Sequence, residues 1–191
     1  MIDKIVINNF PDMTDEEFYL FCLSNQQVQI ERNEQGEIEL MSAAGGETGS
    51  RELELQRQVA NWNYQHKLGV AFSPTTGFLL KHGAMRQPDV AWIRLDRWNA
   101  LTAEQREKFV PIPPDFVAEL RLTSDSVKPL QEKMERWMEN NVKLAWLIDP
   151  KEQTSYIYRA NGERIIVKGF DKTLSGEDVL VGFELNLSDL K

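Results

Sequence analysis

Two apolar runs separated by an amphipathic segment constrain this chain most. FVAELRL (116–122) and LAWLID (144–149) are nearly continuous in apolar residues, apart from an interrupting Glu119. Between them Val127, Leu130, Met134, Trp137 and Met138 recur at steps of three and four residues. Apolar runs of that length read as largely covered strands, and the three-and-four spacing lines one side of a helix over 126–140. A strand, a helix and a strand in that order form a crossover unit, so both strands are expected to lie parallel in one sheet.

The rest of the chain adds to this core. Thr14 and Glu17 have capping-box spacing ahead of Phe18, Leu20, Phe21 and Leu23, which predicts a short helix. Segments 28–32 and 37–41 alternate apolar with polar around Asn33 to Gly36, as in a hairpin. After the Gly-rich AAGGETG (43–49), residues 50–67 lack helix breakers; Leu53, Ala60 and Tyr64, with Leu55, Val59 and Trp62, fit a helix buried broadly on one side. Gly69 is its expected stop. Short strands are expected at 70–73, 77–80 and 89–93, the last two separated by the turn-like KHGA (81–84), with a helical excursion at 102–108. TSYIYR (154–159), Asn161-Gly162 and RIIVK (164–168) read as an antiparallel hairpin at a sheet edge. The fold class is α/β, a mixed central sheet flanked by helices with hairpins towards both ends. With 191 residues, no internal repeat and no long linker, residues 1–191 are expected to form one domain.

Charge and chemistry narrow the function. A net charge of −8 argues against coating nucleic acid with the whole surface, although a small basic cleft is compatible with it. The lone Cys22 forms no internal disulfide, no apolar segment is long enough for a membrane span, and MIDKIVINNF has no signal-like core. These features place the chain in the cytoplasm. His66 and His82 are far apart and no Cys/His pairs exist, so zinc and Cys-His chemistry have little support. Gly45, Gly46 and Gly49 lack the Lys-Ser/Thr ending of a phosphate loop. Trp92, Trp137 and Trp146 stand in apolar segments and are assigned to core packing rather than base stacking.

The informative acids are Asp89 in RQPDVAWI (86–93) and Glu119 in PPDFVAELRL (113–122). A carboxylate inside or at the mouth of an apolar strand is costly to desolvate and calls for a cation or hydrogen bonds. Two explanations stand: pairing with a nearby Arg such as Arg86 or Arg121, or a shared divalent-metal site. Magnesium accepts two carboxylates when water and substrate phosphate complete its shell. Arg121, two residues after Glu119, points from the same face of a regular strand. Lys133 falls on the flank of the helix's apolar stripe, where it either snorkels as a surface cation or reaches the acids. Ser124 and Asp125 precede the helix and are assigned to capping.

The ordered triple of RQPDVAWI, FVAELRLTSD (116–125) and LQEKMERWMENNVKLAWLIDP (130–150) strongly resembles the Uma family of endonucleases, within the restriction-endonuclease-like PD-(D/E)XK superfamily. The resemblance spans the chain from about the first helix to the final strands. It implies a hydrolase with magnesium, or manganese, held by Asp89 and Glu119, DNA as substrate, and a basic residue that orients or activates water. The superfamily's common pattern puts a Lys two residues after the second acid, where this chain has Arg121. Members are known in which that Lys moves to the neighbouring helix, which makes Lys133 the candidate. An additional acid from the first core helix is also implied; among Glu47, Glu52 and Glu54, Glu47 is favoured because the Gly-rich approach could carry it over the site. A homodimer with paired sites follows by analogy. The alternative is a non-catalytic binding or assembly protein on the same scaffold.

Overall fold

A computed structural model describes residues 4–7, 12–122 and 125–191. Along the chain run β1 (Lys4–Ile7), α1 (Asp15–Ser24), β2 (Ile30–Arg32), β3 (Ile38–Met41), the long α2 (Gly46–His66), β4 (Gly69–Phe72), β5 (Phe78–Leu79) and β6 (Met85–Arg86). There follow β7 (Val90–Arg94), α3 (Leu95–Asn99), α4 (Ala103–Glu107), β8 (Phe116–Leu120), α5 (Val127–Glu139), β9 (Leu144–Asp149), β10 (Thr154–Arg159) and β11 (Arg164–Lys168). A small antiparallel pair, β12 (Thr173–Ser175) and β13 (Glu184–Asn186), lies towards the C-terminal end.

The central sheet has the order β11-β10-β9-β8-β7-β4, and within it β8 and β9 run parallel on either side of the α5 crossover. The other neighbours are antiparallel, so the sheet is mixed, and the β10-β11 hairpin forms one edge. Alternation along β7 and β8 divides the core. Val90, Trp92, Phe116 and Ala118 pack with Leu55, Val59 and Trp62 of α2, whereas Ala91, Ile93 and Val117 pack with Met134 and Trp137 of α5. Trp92, Trp137 and Trp146 are fully buried, each contributing roughly 2–3 kcal/mol through area removed from water. No helix among the described residues is long and apolar enough to cross a membrane.

A second, five-stranded sheet, β1-β3-β2-β6-β5, contains the expected N-terminal hairpin. Here the structure departs from the sequence reading. Segment 77–80 does not join the central sheet. A turn through His82 and Gly83, with φ of 59° and 73°, folds β5 back onto β6 in the N-terminal sheet. The chain then crosses to the central sheet at Gln87-Pro88, where proline has no N–H to offer a continuing ladder. Asp89 therefore stands at the junction of the two sheets.

The long helix also differs. It begins at Gly46 and turns Leu53 and Tyr64 outward, 66% and 78% exposed, because Leu55, Val59 and Trp62 alone make the buried stripe. It ends with Lys67 in the left-handed region, and Gly69 opens β4. Ser126 is the residue preceding the first turn of α5, and Asp125 accepts the N–H of Leu122; Ser124 lies outside the described residues.

Candidate active site

The register brings the two strand acids together. Val90, Ala91 and Trp92 pair with Ala118, Val117 and Phe116; Asp89 comes one residue before the first of these pairs and Glu119 one residue after it. Glu119, two residues after Val117, shares the strand face covered by α5. Asp89 Oδ2 accepts the N–H of Leu120 at 2.6 Å, which ties the start of β7 to the end of β8. Glu119 is buried, and its Oε1 receives both the indole N–H of Trp137 and the ammonium of Lys133, each at 3.0 Å. Trp137 and Lys133 stand one turn apart on α5, so one helix face supplies both partners.

Lys133 is shared. Its Nζ lies 3.4 Å from Glu31 Oε1 on β2, and Glu31 is only 1% exposed. Glu31 also accepts from Arg86 at 2.9 Å and from the backbone N–H of Gln87 at 2.9 Å. Arg86 completes a second pair with Glu39 at 2.7 Å and lies 3.4 Å from Glu34. A buried ionic chain thus runs from the N-terminal sheet through Lys133 to Glu119.

The electrostatics follow from this packing. Burial, and then the charge of Glu119, push the Asp89 carboxyl well above the usual range; Lys133 and the Leu120 N–H only partly offset them. Burial likewise raises Glu119 against the pull of Lys133. For Lys133, burial opposes the charge but Glu119 and Glu31 outweigh it, so the ammonium is held above the ordinary lysine range. It stabilises negative charge and does not serve as a base at neutral pH.

A raised carboxyl pKa in the folded state has a defined sign. The contribution to stability is complete below the unfolded value and is lost as pH rises through the folded value. In the metal-free protein at pH 7, Asp89→Asn is expected to raise Tm by several degrees, at about 2–4 °C per kcal/mol in a chain of this size. Asparagine keeps the acceptor for Leu120 N–H. Thermal unfolding of both proteins at pH 7 and pH 4 checks this; the advantage of the variant should shrink in acid, and a lower Tm at pH 7 contradicts it.

The other expected site residues are placed differently. Arg121 lies past the end of β8 and is drawn to the buried Asp149 at 2.6 Å and to the Asp125 carbonyl at 3.0 Å, so its guanidinium serves the β8-β9 end rather than the acids. Glu47 sits in the first turn of α2, 86% exposed and paired with Arg51, because the Gly-rich approach is itself helical. Glu54 is engaged by Arg57 and Gln58. Burial and then the charge of Glu119 raise the pKa of Glu52, and the charge of Glu52 in turn raises that of Asp89. Arg86 does not pair with Asp89, since Glu31 and Glu39 hold it. Glu31, which reaches Lys133, and Glu39, which holds Arg86, are buried acids that sequence reasoning does not single out. Their signal was a pair of acids at opposed positions of a hairpin whose flanking positions are apolar.

Among the described residues no group of three or more His, Cys, Asp and Glu side chains is gathered closely enough to hold a metal ion alone. The donor set nevertheless suits a hard cation that keeps water. All donors are oxygens, and Asp89 Oδ1 and Glu119 Oε2 take no part in the bonds described above.

A family model, Uma2, described as "Putative restriction endonuclease", matches residues 15–188. The chain belongs to the Uma2 family. That span contains Glu31, Glu52, Arg86, Asp89, Glu119 and Lys133. Among solved structures, the chain is similar to a crystal structure titled a "putative nuclease belonging to DUF820" from Anabaena variabilis. The TM-score is 0.76 at 19% identity, covering 94% of this chain and 97% of that one, a likeness of fold. No curated protein matches the chain.

Proposed function

We propose that this Uma2 protein is a divalent-metal-dependent endonuclease that hydrolyses phosphodiester bonds in DNA. The observation that carries the reading is the placement of Asp89, whose Oδ2 accepts the Leu120 N–H at 2.6 Å, next to Glu119 in the chain fold, with the Lys133 ammonium 3.0 Å from Glu119. Asp89 and Glu119 would hold the ion. The chemistry that magnesium or manganese supplies when bound is polarisation of the phosphodiester and activation of a water. Lys133, permanently charged, offsets negative charge building on the phosphate oxygens. Trp137 fixes the Glu119 carboxylate, and Leu120 N–H fixes that of Asp89. Arg121 holds the end of β8 through Asp149 and acts on the site through the backbone.

The test is incubation of supercoiled plasmid and labelled duplex DNA with the protein and magnesium or manganese, with and without a chelator. Nicking or cutting that the chelator abolishes is the expected result. Intact DNA under both metals, with the protein folded, overturns the proposal and favours a non-catalytic binding role.

A further inference from the structure

We infer that Glu31, on the N-terminal sheet and outside the paired acids of the central sheet, is a positioning residue that gives Lys133 a second seat, so that Glu119 can be released to a metal ion. The inference rests on the metal-site reading of Asp89 and Glu119.

The argument begins with competition for one carboxylate. Lys133 Nζ sits on Glu119 Oε1 at 3.0 Å, and a cation arriving at Glu119 must share that group with the ammonium. In a buried site two cations on one carboxylate repel strongly unless one of them moves or gains another anion. Glu31 is the other carboxylate within reach of Lys133, at 3.4 Å. The lysine is thus suspended between an acid belonging to the central sheet and one belonging to the N-terminal sheet.

Glu31 is itself fixed. Its Oε2 takes Arg86 and its Oε1 takes the N–H of Gln87, two residues before Asp89. One side chain therefore anchors both the lysine and the peptide that leads through Pro88 into Asp89. A buried acid is retained at a cost of several kcal/mol unless it is fully partnered. Arg86 already has Glu39 at 2.7 Å, so pairing with Arg86 does not by itself account for Glu31. The placement beside Lys133 does.

The test is a double-mutant cycle read by calorimetry with Mn2+ on the full chain, with single-turnover DNA cleavage as a second readout. Glu31→Gln keeps an acceptor for the Gln87 N–H and removes the charge. It is expected to weaken Mn2+ binding and lower kcat by about 10–100-fold, the range for partners that orient a metal site, with KM for DNA within about twofold. Glu39→Gln, which alters the other acid on Arg86, should leave Mn2+ affinity within about twofold; an equal loss there would show a generic effect of charge or stability and overturn the inference. In a Lys133→Met background, Glu31→Gln should have no further effect on Mn2+ affinity. If it costs as much there as in the wild type, Glu31 acts on the ion directly and the positioning role is wrong. Wild-type Mn2+ binding that Asp89→Asn weakens, together with indifference to Glu31→Gln, overturns this inference alone. No Mn2+ binding dependent on Asp89 overturns it together with the metal-site reading.

Discussion

Glu119→Gln is expected to reduce metal-dependent DNA cleavage by about a hundred- to a thousandfold, the scale on which loss of a group that organises transition-state charge is felt. The substitution changes little sterically. The amide oxygen can still accept from Trp137 Nε1, so the packing of α5 on β8 should persist. What disappears is the negative charge of one of the two proposed metal ligands, which is also one of the two anions that hold Lys133. The cation would lose one of its two carboxylate ligands. Contacts to the remainder of the DNA are untouched, so the loss should fall on kcat with KM nearly constant. Single-turnover cleavage of a labelled duplex, alongside thermal unfolding to confirm an intact fold, measures the effect. Activity within tenfold of wild type would remove Glu119 from the reaction.

Parts of this site could be read from sequence because the reading used a local conflict, a charged residue within an apolar run. Asp89 and Glu119 announced themselves in that way, and the three-and-four spacing around Lys133 placed it on the flank of a helix bound to cross the same sheet. The crossover itself was legible because no other connection joins two covered strands through so short a helix. Partner choice was not legible. Arg86 and Arg121 are near Asp89 and Glu119 in sequence, yet each is taken by acids from another element, Glu31 and Glu39 for the first and Asp149 for the second. Such choices depend on which strands become neighbours, and the passage from one sheet to the other at Pro88 settles that for Arg86. Glu47 is exposed for a simpler reason: the Gly-rich stretch is itself helical, and helix phase turns Glu47 outward to Arg51. Leu53 and Tyr64 are apolar yet exposed, since a large part of any folded surface is apolar and apolar character alone does not imply burial.

Within the N-terminal sheet a single guanidinium is shared by two buried acids, which makes Arg86→Met a strongly destabilising change. Arg86 is 4% exposed and lies within 2.9 Å of both Glu31 and Glu39 through one nitrogen. Methionine fills much of the volume but leaves those carboxylates without their shared cation. Breaking a buried pair from one side costs about 3–5 kcal/mol, which at about 2–4 °C per kcal/mol is a fall in Tm of about 6–20 °C. The pH dependence separates charge from packing. For Glu31, burial raises the pKa, but Lys133, Arg86 and the Gln87 N–H together bring it below its usual value. Its stabilisation is therefore present above the unfolded value and lost as pH falls through the folded one. Without Arg86 that advantage diminishes, and protonation relieves the stranded acids. The gap between wild type and variant in urea unfolding should be widest near pH 7 and narrow as pH falls through about 4–5, the ordinary carboxylate range. A gap independent of pH would mean that shape, not charge, was lost. Replacing all three groups together, Arg86→Met with Glu31→Leu and Glu39→Leu, should recover much of the stability, since an apolar cluster of similar volume avoids the cost of burying ions. Activity should not return with it, because Lys133 would then have Glu119 as its remaining seat.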